Sequence, residues 1–522
     1  MPHPAPGEPS NRTKYLTLAA ALLGWAFDGA EMGVFSLVGG PAMRDLLQGE
    51  SPEAQGIWFG VVMAGFLVGA ATGGVLFGWL GDRIGRVRAM TLSVFTYAFF
   101  TGVCGFSQEP WHLAVLRFVA ALGMGGEWSL GVALVMEVWP NRSRAFMAGL
   151  IGAAANVGFL AVAVVGLGLL ALLSRVENAL AALGFAQMSI DWLVANQGWR
   201  IMMMLGTAPA LLTFLIRLFV PESEKWQQEH ATGSTKAWET RDLSAVLVAL
   251  AGPALMIYVW SGPLSDAVSV GGSRLLAALG ITVVGLAIAM VGYTFPVRRY
   301  LRRQAAMSTA TDAEVLKKTL GRMMLGACLS GVALIGTWGL TQWIPRWADQ
   351  MNTIDSIPAK EYAGIVTAVG AILGTILAAM SGDWFGRRRA YCVLCLTSMA
   401  SVWSMVFCTN GYGPTFLAFA FLVGATTASF YGWLPLYLPE LFPTRVRATG
   451  QGFGFNFGRI LAAVGVLQMG PLEALFKDKT TIAGIAIDGG FPRACIAMSF
   501  VYVIGMALIW LAPETRGKPL PD

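Results

Sequence analysis

Gly81-Asp82-Arg83-Ile84-Gly85-Arg86-Val87-Arg88 returns later in the same chain as Gly382-Asp383-Trp384-Phe385-Gly386-Arg387-Arg388-Arg389. Each copy is a short charged stretch between two long apolar runs. A second text recurs at nearly the same interval, Glu137-Val138-Trp139-Pro140-Asn141-Arg142-Ser143-Arg144 and then Glu440-Leu441-Phe442-Pro443-Thr444-Arg445-Val446-Arg447. A third closes each half, as Pro221-Glu222-Ser223 and as Pro513-Glu514-Thr515. Internal similarity of this kind predicts two halves built on one plan. Counted in apolar runs, the three texts stand after the second, the fourth and the sixth run of their half.

The apolar runs themselves decide the class. Of 522 residues, 56 % are hydrophobic and only 13 % charged, and the mean hydropathy is +0.62. A soluble domain carries roughly 25 % charged residues, because its surface faces water. So little charge cannot cover so much apolar surface, and the chain is read as an integral membrane protein. A bilayer crossing needs about 20 apolar residues. Runs of that length lie near 15–40, 57–80, 89–107, 112–136, 145–173, 199–220, 243–261, 274–296, 322–345, 361–381, 390–409, 414–437, 450–472 and 491–512. They are expected to be helices, since lipid offers no partner to the open backbone of a lone strand. The expected fold class is an all-α membrane protein of about fourteen spans.

Its divisions are a tail (1–14), a six-helix half (15–221), a central loop with two inserted helices (222–320), a second six-helix half (321–513) and a short tail (514–522). The inserted pair is even in number, so both halves keep one orientation. Lysine and arginine concentrate on one side of this topology, most densely in Arg83-Arg86-Arg88, Arg298 to Arg303 and Arg387-Arg388-Arg389. Such a bias marks the cytoplasmic side and puts both termini there, in the inner membrane if the source is bacterial. It also accounts for the formal charge of +6, so no nucleic-acid partner is expected. The six cysteines and three histidines form no ligand cluster, and the Cys392–Cys395 pair stands alone. Small packing residues are the better reading of them, and no metal and no cofactor are expected. The first apolar run is too long for a signal-peptide core and is read as retained.

The glycine-aspartate-x-x-glycine-arginine loop after the second run, present twice, resembles the best-known motif of the major facilitator superfamily over about residues 15–516. The resemblance implies the major facilitator fold and a secondary transporter that works by alternating access, acts as a monomer in the bilayer and draws on the proton gradient alone. It also implies a cytoplasmic gate in which the loop's charges latch neighbouring helix ends. Asp82, Arg83, Arg86 and Arg88 take that role in one half, and Asp383, Arg387 and Arg389 in the other. The second pair of texts adds Glu137 and Arg144, and Glu440 and Arg447. Within the superfamily, Phe27-Asp28-Gly29-Ala30-Glu31, Arg117-Phe118 with Gly123-Met124-Gly125-Gly126-Glu127, and Asn456-Phe457-Gly458-Arg459 resemble the proton-coupled carboxylate branches, the sialate, lactate and aromatic-acid symporters. One departure is Glu31, where those branches usually carry a second aspartate. The ending Pro513-Glu514-Thr515-Arg516-Gly517 resembles sugar porters, so a sugar or other neutral metabolite is the alternative.

Charges buried in a membrane span are costly, by about 2.5–3.5 kcal/mol on insertion scales, and usually face a polar cavity or a partner. Asp28 lies ~20 Å into the first run and Glu31 follows at i+3 on the same helix face. Two acids so close resist joint ionisation, which suits a proton carrier. Glu127 and Arg117 of the fourth run complete the candidate coupling set, with Arg117 placed to partner Asp28 or Glu31. Arg459 lies ~18 Å past Arg447, near mid-depth. Its guanidinium keeps its charge and grips a carboxylate bidentately, which makes it the candidate substrate anchor. Around the cavity expected between the halves, Asn156, Trp338, Gln342, Tyr431, Trp433 and Asn456 offer hydrogen bonds and flat surfaces. An enzyme is excluded for want of a nucleophile motif or histidine cluster, a channel for want of a filter loop or pore ring. A transporter-derived sensor remains a remote alternative.

Overall fold

In the computed structural model, residues 11–84, 86–125, 143–208, 240–261, 272–306, 312–354, 357–443, 447–482 and 485–521 are described. The apolar runs fold as helices throughout. The first half contains α1 (Asn11–Leu46), α2 (Pro52–Ile84), α3 (Arg86–Cys104), α4 (Pro110–Met124), α5 (Arg144–Ala182) and α6 (Gln187–Leu205). The centre adds α7 (Thr240–Ala249), α8 (Ala251–Ser261) and α9 (Gly272–Ala306). The second half contains α10 (Asp312–Gly339), α11 (Ile344–Met351), α12 (Ala359–Phe385), α13 (Arg387–Cys408), α14 (Pro414–Thr427), α15 (Phe430–Tyr437), α16 (Arg447–Leu475), α17 (Phe491–Ser499) and α18 (Val501–Leu508). Short 3-10 turns at Thr341–Trp343 and Leu438–Leu441 continue α10 into α11 and end α15, so several short helices are pieces of one span.

Nine of the described helical stretches are long and apolar enough to cross a membrane, among them Ser244–Ser261 and Leu276–Phe295 of the insertion. α1 and α16, which carry the deep charges, fall outside that group. The all-helical expectation holds but for one small ribbon, β1 (Thr480–Ile482) antiparallel to β2 (Ile485–Ile487), beyond the end of α16.

The repeat in the sequence is a repeat in packing. In the first half α1 lies along α5 and α2 along α4; in the second, α10 lies along α16 and α12 along α14. Across the halves the pairing is reciprocal, α2 with α16 and α5 with α12. Glycine makes the crossing of α1 with α5: a Cβ on Gly29 of α1 or on Gly158 of α5 would run into the other helix's backbone. Small residues at such crossings let backbones touch where lipid supplies no hydrophobic drive between helices. That contact sets the α1 acids beside α5.

The inserted helices form a hairpin, closed by the approach of Gly252 to Gly285 and by the Trp260 indole, which donates to Thr282 Oγ1 at 2.9 Å. It rests on α2 and on α16, and so touches both halves. Tyr293 of α9 shares a 2.5 Å hydrogen bond with Thr72 of α2. α5 has 39 residues and is ~58 Å long, well beyond the ~30 Å hydrocarbon core. It continues to Ala182, nine residues beyond the 145–173 run. The chain returns through α6, with a turn in which Asn196, Gln197 and Gly198 all have positive φ.

Candidate functional site

Two ends and a middle organise the polar groups. The basic end holds the repeated charged loops. In the second half Arg387 donates from Nε and Nη2 to Glu440 Oε2 and Oε1 at 2.9 and 2.7 Å, and from Nη1 to Asp383 Oδ1 at 2.7 Å. Thr515 adds a 2.6 Å bond to the same Glu440 carboxylate. Glu514 accepts the backbone N–H groups of Arg387 and Arg388 at 3.0 and 3.1 Å. Gly386, at φ +89, makes the turn that permits this, and a Cβ there would press against the Glu514 carboxylate. Burial raises the Glu514 carboxyl, but backbone N–H donors outweigh it and hold the group below its ordinary value.

The expected gate residues are therefore only partly joined. Asp383, Arg387 and Glu440 form one cluster, whereas Arg389 is exposed and Arg447 turns to the carbonyls of Pro439 and Pro521 at 3.3 and 2.6 Å. In the first half Arg88 is exposed. Glu137 lies outside the described residues, as do the side chains of Asp82, Arg83, Arg86 and Arg144.

At the far end the ties run between the halves. Arg44 of α1 meets Asp349 of α11 at 2.9 Å, Lys360 of α12 donates to Gln197, and Arg346 reaches the Pro52 carbonyl at 3.4 Å while pairing with Glu473 at 2.9 Å. The positive-φ turn of α6 is what presents Gln197. Asp45 of α1 holds that turn in place, accepting from Asn196, Trp199 and Arg200 at 2.8, 3.0 and 2.8 Å. Sequence reasoning passed over this cluster because its members lie near span ends, where charge looks unremarkable.

Between the ends lie the deep charges. Glu31 Oε1 accepts from Arg117 Nη1 at 2.5 Å and from Thr101 Oγ1 at 3.0 Å. Both partners of the ion pair have side chains 1 % exposed. The Arg117 guanidinium also lies over Phe66 and Phe35, 4.5 and 5.7 Å from the ring centres. Arg117 thus takes Glu31, not Asp28. Although the two acids are three residues apart, only Asp28 lines the central cavity. Arg459 of α16 lines it too, within electrostatic reach of Asp28. Its Nη1 donates to Asn456 Oδ1 at 3.1 Å and its guanidinium stands 4.9 Å from the Phe455 ring centre. Glu127, the remaining coupling candidate, lies outside the described residues.

The cavity lies between the halves. α1 supplies Trp25 and Asp28, α5 supplies Asn156 and Phe159, and α2 supplies Phe66. The second half contributes Trp338, Gln342, Tyr431, Phe455 and Arg459. Tyr431 arrives against Gly152 of α5, where a side chain would strike its backbone, and its hydroxyl approaches Thr337 and Trp338. Of the expected binding residues, Asn156, Trp338, Gln342, Tyr431 and Arg459 share this wall. Asn456 is not on it. Its amide packs on Gly74 of α2 and orients Arg459 from behind. Trp433 belongs elsewhere, fully buried near the basic end, its indole donating to the Arg387 carbonyl at 3.2 Å. Helical phase explains this: Trp433 sits two residues past Tyr431 and so faces ~200° away. Trp25, Phe66 and Phe455 were missed, though Trp25 stands three residues before Asp28, on the same face.

Comparison with known proteins bears on this arrangement. The profile of the Major Facilitator Superfamily matches residues 21–466. A putative metabolite transport protein of Haemophilus influenzae is 26 % identical over 98 % of both chains. The cis,cis-muconate transport protein of Acinetobacter baylyi is 25 % identical over 78 % of this chain and 76 % of its own. Among solved structures, the proton:xylose symporter XylE bound to 6-bromo-6-deoxy-D-glucose superposes with a TM-score of 0.61 at 19 % identity over 98 % of each chain, a likeness of fold.

Proposed function

The chain belongs to the major facilitator superfamily, and from that premise we propose that it carries a small organic anion together with a proton. It is a multi-pass membrane protein and a secondary transporter of metabolites, not an enzyme. The lysine and arginine bias supports a cytoplasmic basic end and a cytoplasmic membrane location. Each chain holds a whole cavity, so a monomer suffices.

One observation carries the anion reading: Arg459 and Asp28 come from opposite halves and line the same cavity. A guanidinium facing an aromatic-walled space holds a carboxylate well, because desolvation strengthens the bidentate pair and the rings take the organic body. An incoming anion also brings a second negative charge beside Asp28. Protonating Asp28 relieves the repulsion, so anion and proton favour each other's binding. Alternating access then follows from rocking the halves about this midplane site, with the far-end ties between the halves parting as their basic ends approach each other. The muconate transporter among the relatives is consistent with an organic-acid cargo. A sugar fits less well, since an uncharged ring would leave the buried Arg459 guanidinium without an anionic partner from the ligand.

The test is uptake of radiolabelled aromatic acids, lactate, sialate and hexoses into proteoliposomes with an imposed pH gradient. Gradient-driven accumulation of an acid is expected. Accumulation of hexoses with no acid transported would overturn the reading.

A further inference from the structure

The first two turns of α6, residues 187–194, stand apart from the rest of it. At Ala195 the backbone leaves the helix, and Asn196, Gln197 and Gly198 follow at positive φ. Met188, 83 % exposed, and the half-buried Trp192 are four residues apart and share one face of this short helix. Ile190, ~200° round from both, is buried. Gln187 and Asp191 make a polar edge beside Met188, bonded to each other at 2.7 Å. The helix is therefore amphipathic twice over, with one apolar face turned into the protein and another turned out.

α3 indicates what covers the outward face. Leu92, Phe95 and Phe99 are exposed at i, i+3 and i+7, the lipid-facing line of a membrane helix. Phe106, also exposed, continues that line seven residues on, just past the end of α3, and its ring meets that of Trp192 at 6.1 Å between centres. Trp111, exposed at the start of α4, adds a second indole at this end. Aromatic side chains gather where hydrocarbon meets headgroups, so Trp192 stands at that boundary. Met188 is ~6 Å of helix rise away at most, within a headgroup layer of ~5–8 Å. The guanidinium over the Trp192 ring, that of Arg200 at 4.1 Å, is already spent on Asp45 and on the carbonyls of Gly105 and Ser107. The face thus offers an indole, a thioether and a phenyl ring, which suit the edge of the acyl chains and not a phosphate.

We propose that residues 187–194 are an interfacial anchor, docked through Met188, Trp192 and Phe106 on the bilayer leaflet at the far end, and that this anchorage steadies the tie between the halves. The link is the turn that follows. Two residues other than glycine at positive φ are strained backbone, which persists only where its surroundings hold it. Asp45 holds Asn196, and Lys360 of the other half holds Gln197. When the far end opens, Gln197 loses Lys360. A helix fixed in the leaflet keeps the turn in register for that bond to re-form, so anchorage favours the closed far end. The inference holds whatever the cargo.

The experiment uses the full chain in phosphatidylcholine liposomes, with Cys408→Ser removing the exposed thiol. A spin label at Met188→Cys, read by power saturation, should be reached by oxygen in preference to a nickel chelate, with a ratio several-fold above that of a label at Gln187→Cys on the polar edge. Added phosphatidylglycerol should leave the ratio unchanged. Water-like readings at both positions, a lipid-like reading only with phosphatidylglycerol, or dipolar broadening between Met188→Cys labels on neighbouring copies would each overturn the anchor. For the gate, one label at Gln48→Cys and one at Thr353→Cys, exposed at the far end of opposite halves, report the distance across it. Met188→Asp should shift that distribution toward long distances and Met188→Trp toward short ones, a pair of opposite shifts that a folding defect does not produce. An unchanged distribution in both variants would overturn the link from anchor to gate.

Discussion

Arg117 and Arg459 are buried in opposite halves, 1 % and 7 % exposed, yet their surroundings differ. Arg117 meets Glu31 at 2.5 Å, screened from the cavity by the wall residue Phe66, with Phe35 also over its guanidinium. Arg459 gives one bond to Asn456 and turns toward the cavity, with Asp28 across from it. A buried guanidinium that already holds a carboxylate has little left for an incoming anion. One supported by a neutral amide keeps both its charge and its geometry for a ligand. The lesson is that burial and charge do not tell a structural arginine from a binding one; the identity of its fixed partner does.

The acids inherit this division, and the largest expected effect tests it. Asp28→Asn mimics the protonated carrier, so the loaded protein should still reorient but not release its proton. Gradient-driven accumulation should vanish while counterflow in the same liposomes persists. Full accumulation by Asp28→Asn would erase the distinction between the two acids and turn suspicion to Glu31 or Glu127.

Removing one partner of the sealed pair should cost stability instead. Arg117→Ala leaves Glu31 without its cation in a dry setting, with only the Thr101 hydroxyl as partner, a loss of about 3–5 kcal/mol. The double variant Glu31→Leu, Arg117→Leu should recover much of it, because a buried pair replaced by apolar groups is often neutral. Thermal unfolding of the purified proteins reads both. A single variant as stable as the wild type would mean that water reaches the pair. Arg459→Lys should behave in the opposite way. It keeps the charge but loses the fork, so affinity for the transported acid should fall more than about tenfold while the melting temperature stays close to wild type. An Arg459→Lys protein that binds the acid normally would remove the anchor.

How far this division was legible in the sequence follows from what helical spacing encodes. The two-half plan was legible because charged texts repeat at span ends. The depth of Asp28, Glu31, Arg117 and Arg459 was legible because each interrupts an apolar run. Which way they turn was not. Asp28 and Glu31 share a face by spacing, but the crossing of α1 with α5 at Gly29 and Gly158 fixes which of them meets the cavity. Partner choice is likewise tertiary: Thr101 reaches Glu31 from α3, and nothing local in either segment announces it. Trp433 shows the converse failure, since its polar indole suggested a binding role while its phase on α15 carries it to the Arg387 loop.

Arg387 is a third buried guanidinium and belongs to the paired kind, fixed bidentately by Glu440. The difference is that its loop is also held by Glu514, which lies beyond the last span and within reach of solvent pH. The smallest expected effect is found there. Backbone N–H groups hold the Glu514 carboxyl below the ordinary value of 4.5 against the opposing pull of burial. A carboxyl lowered in the folded state stabilises it fully above its unfolded value and loses that contribution as pH falls through the lowered one. The grip of the tail on the Arg387 loop should therefore be flat from pH 8 to 5 and loosen only below about 4.5. A dye attached beyond residue 522 reports this as anisotropy. Glu514→Ala should give low anisotropy at every pH and slow transport no more than a few-fold, since Arg387 and Glu440 remain joined. A wild-type anisotropy that already falls between pH 7 and 6 would assign the titration to another group and leave Glu514 a passive cap.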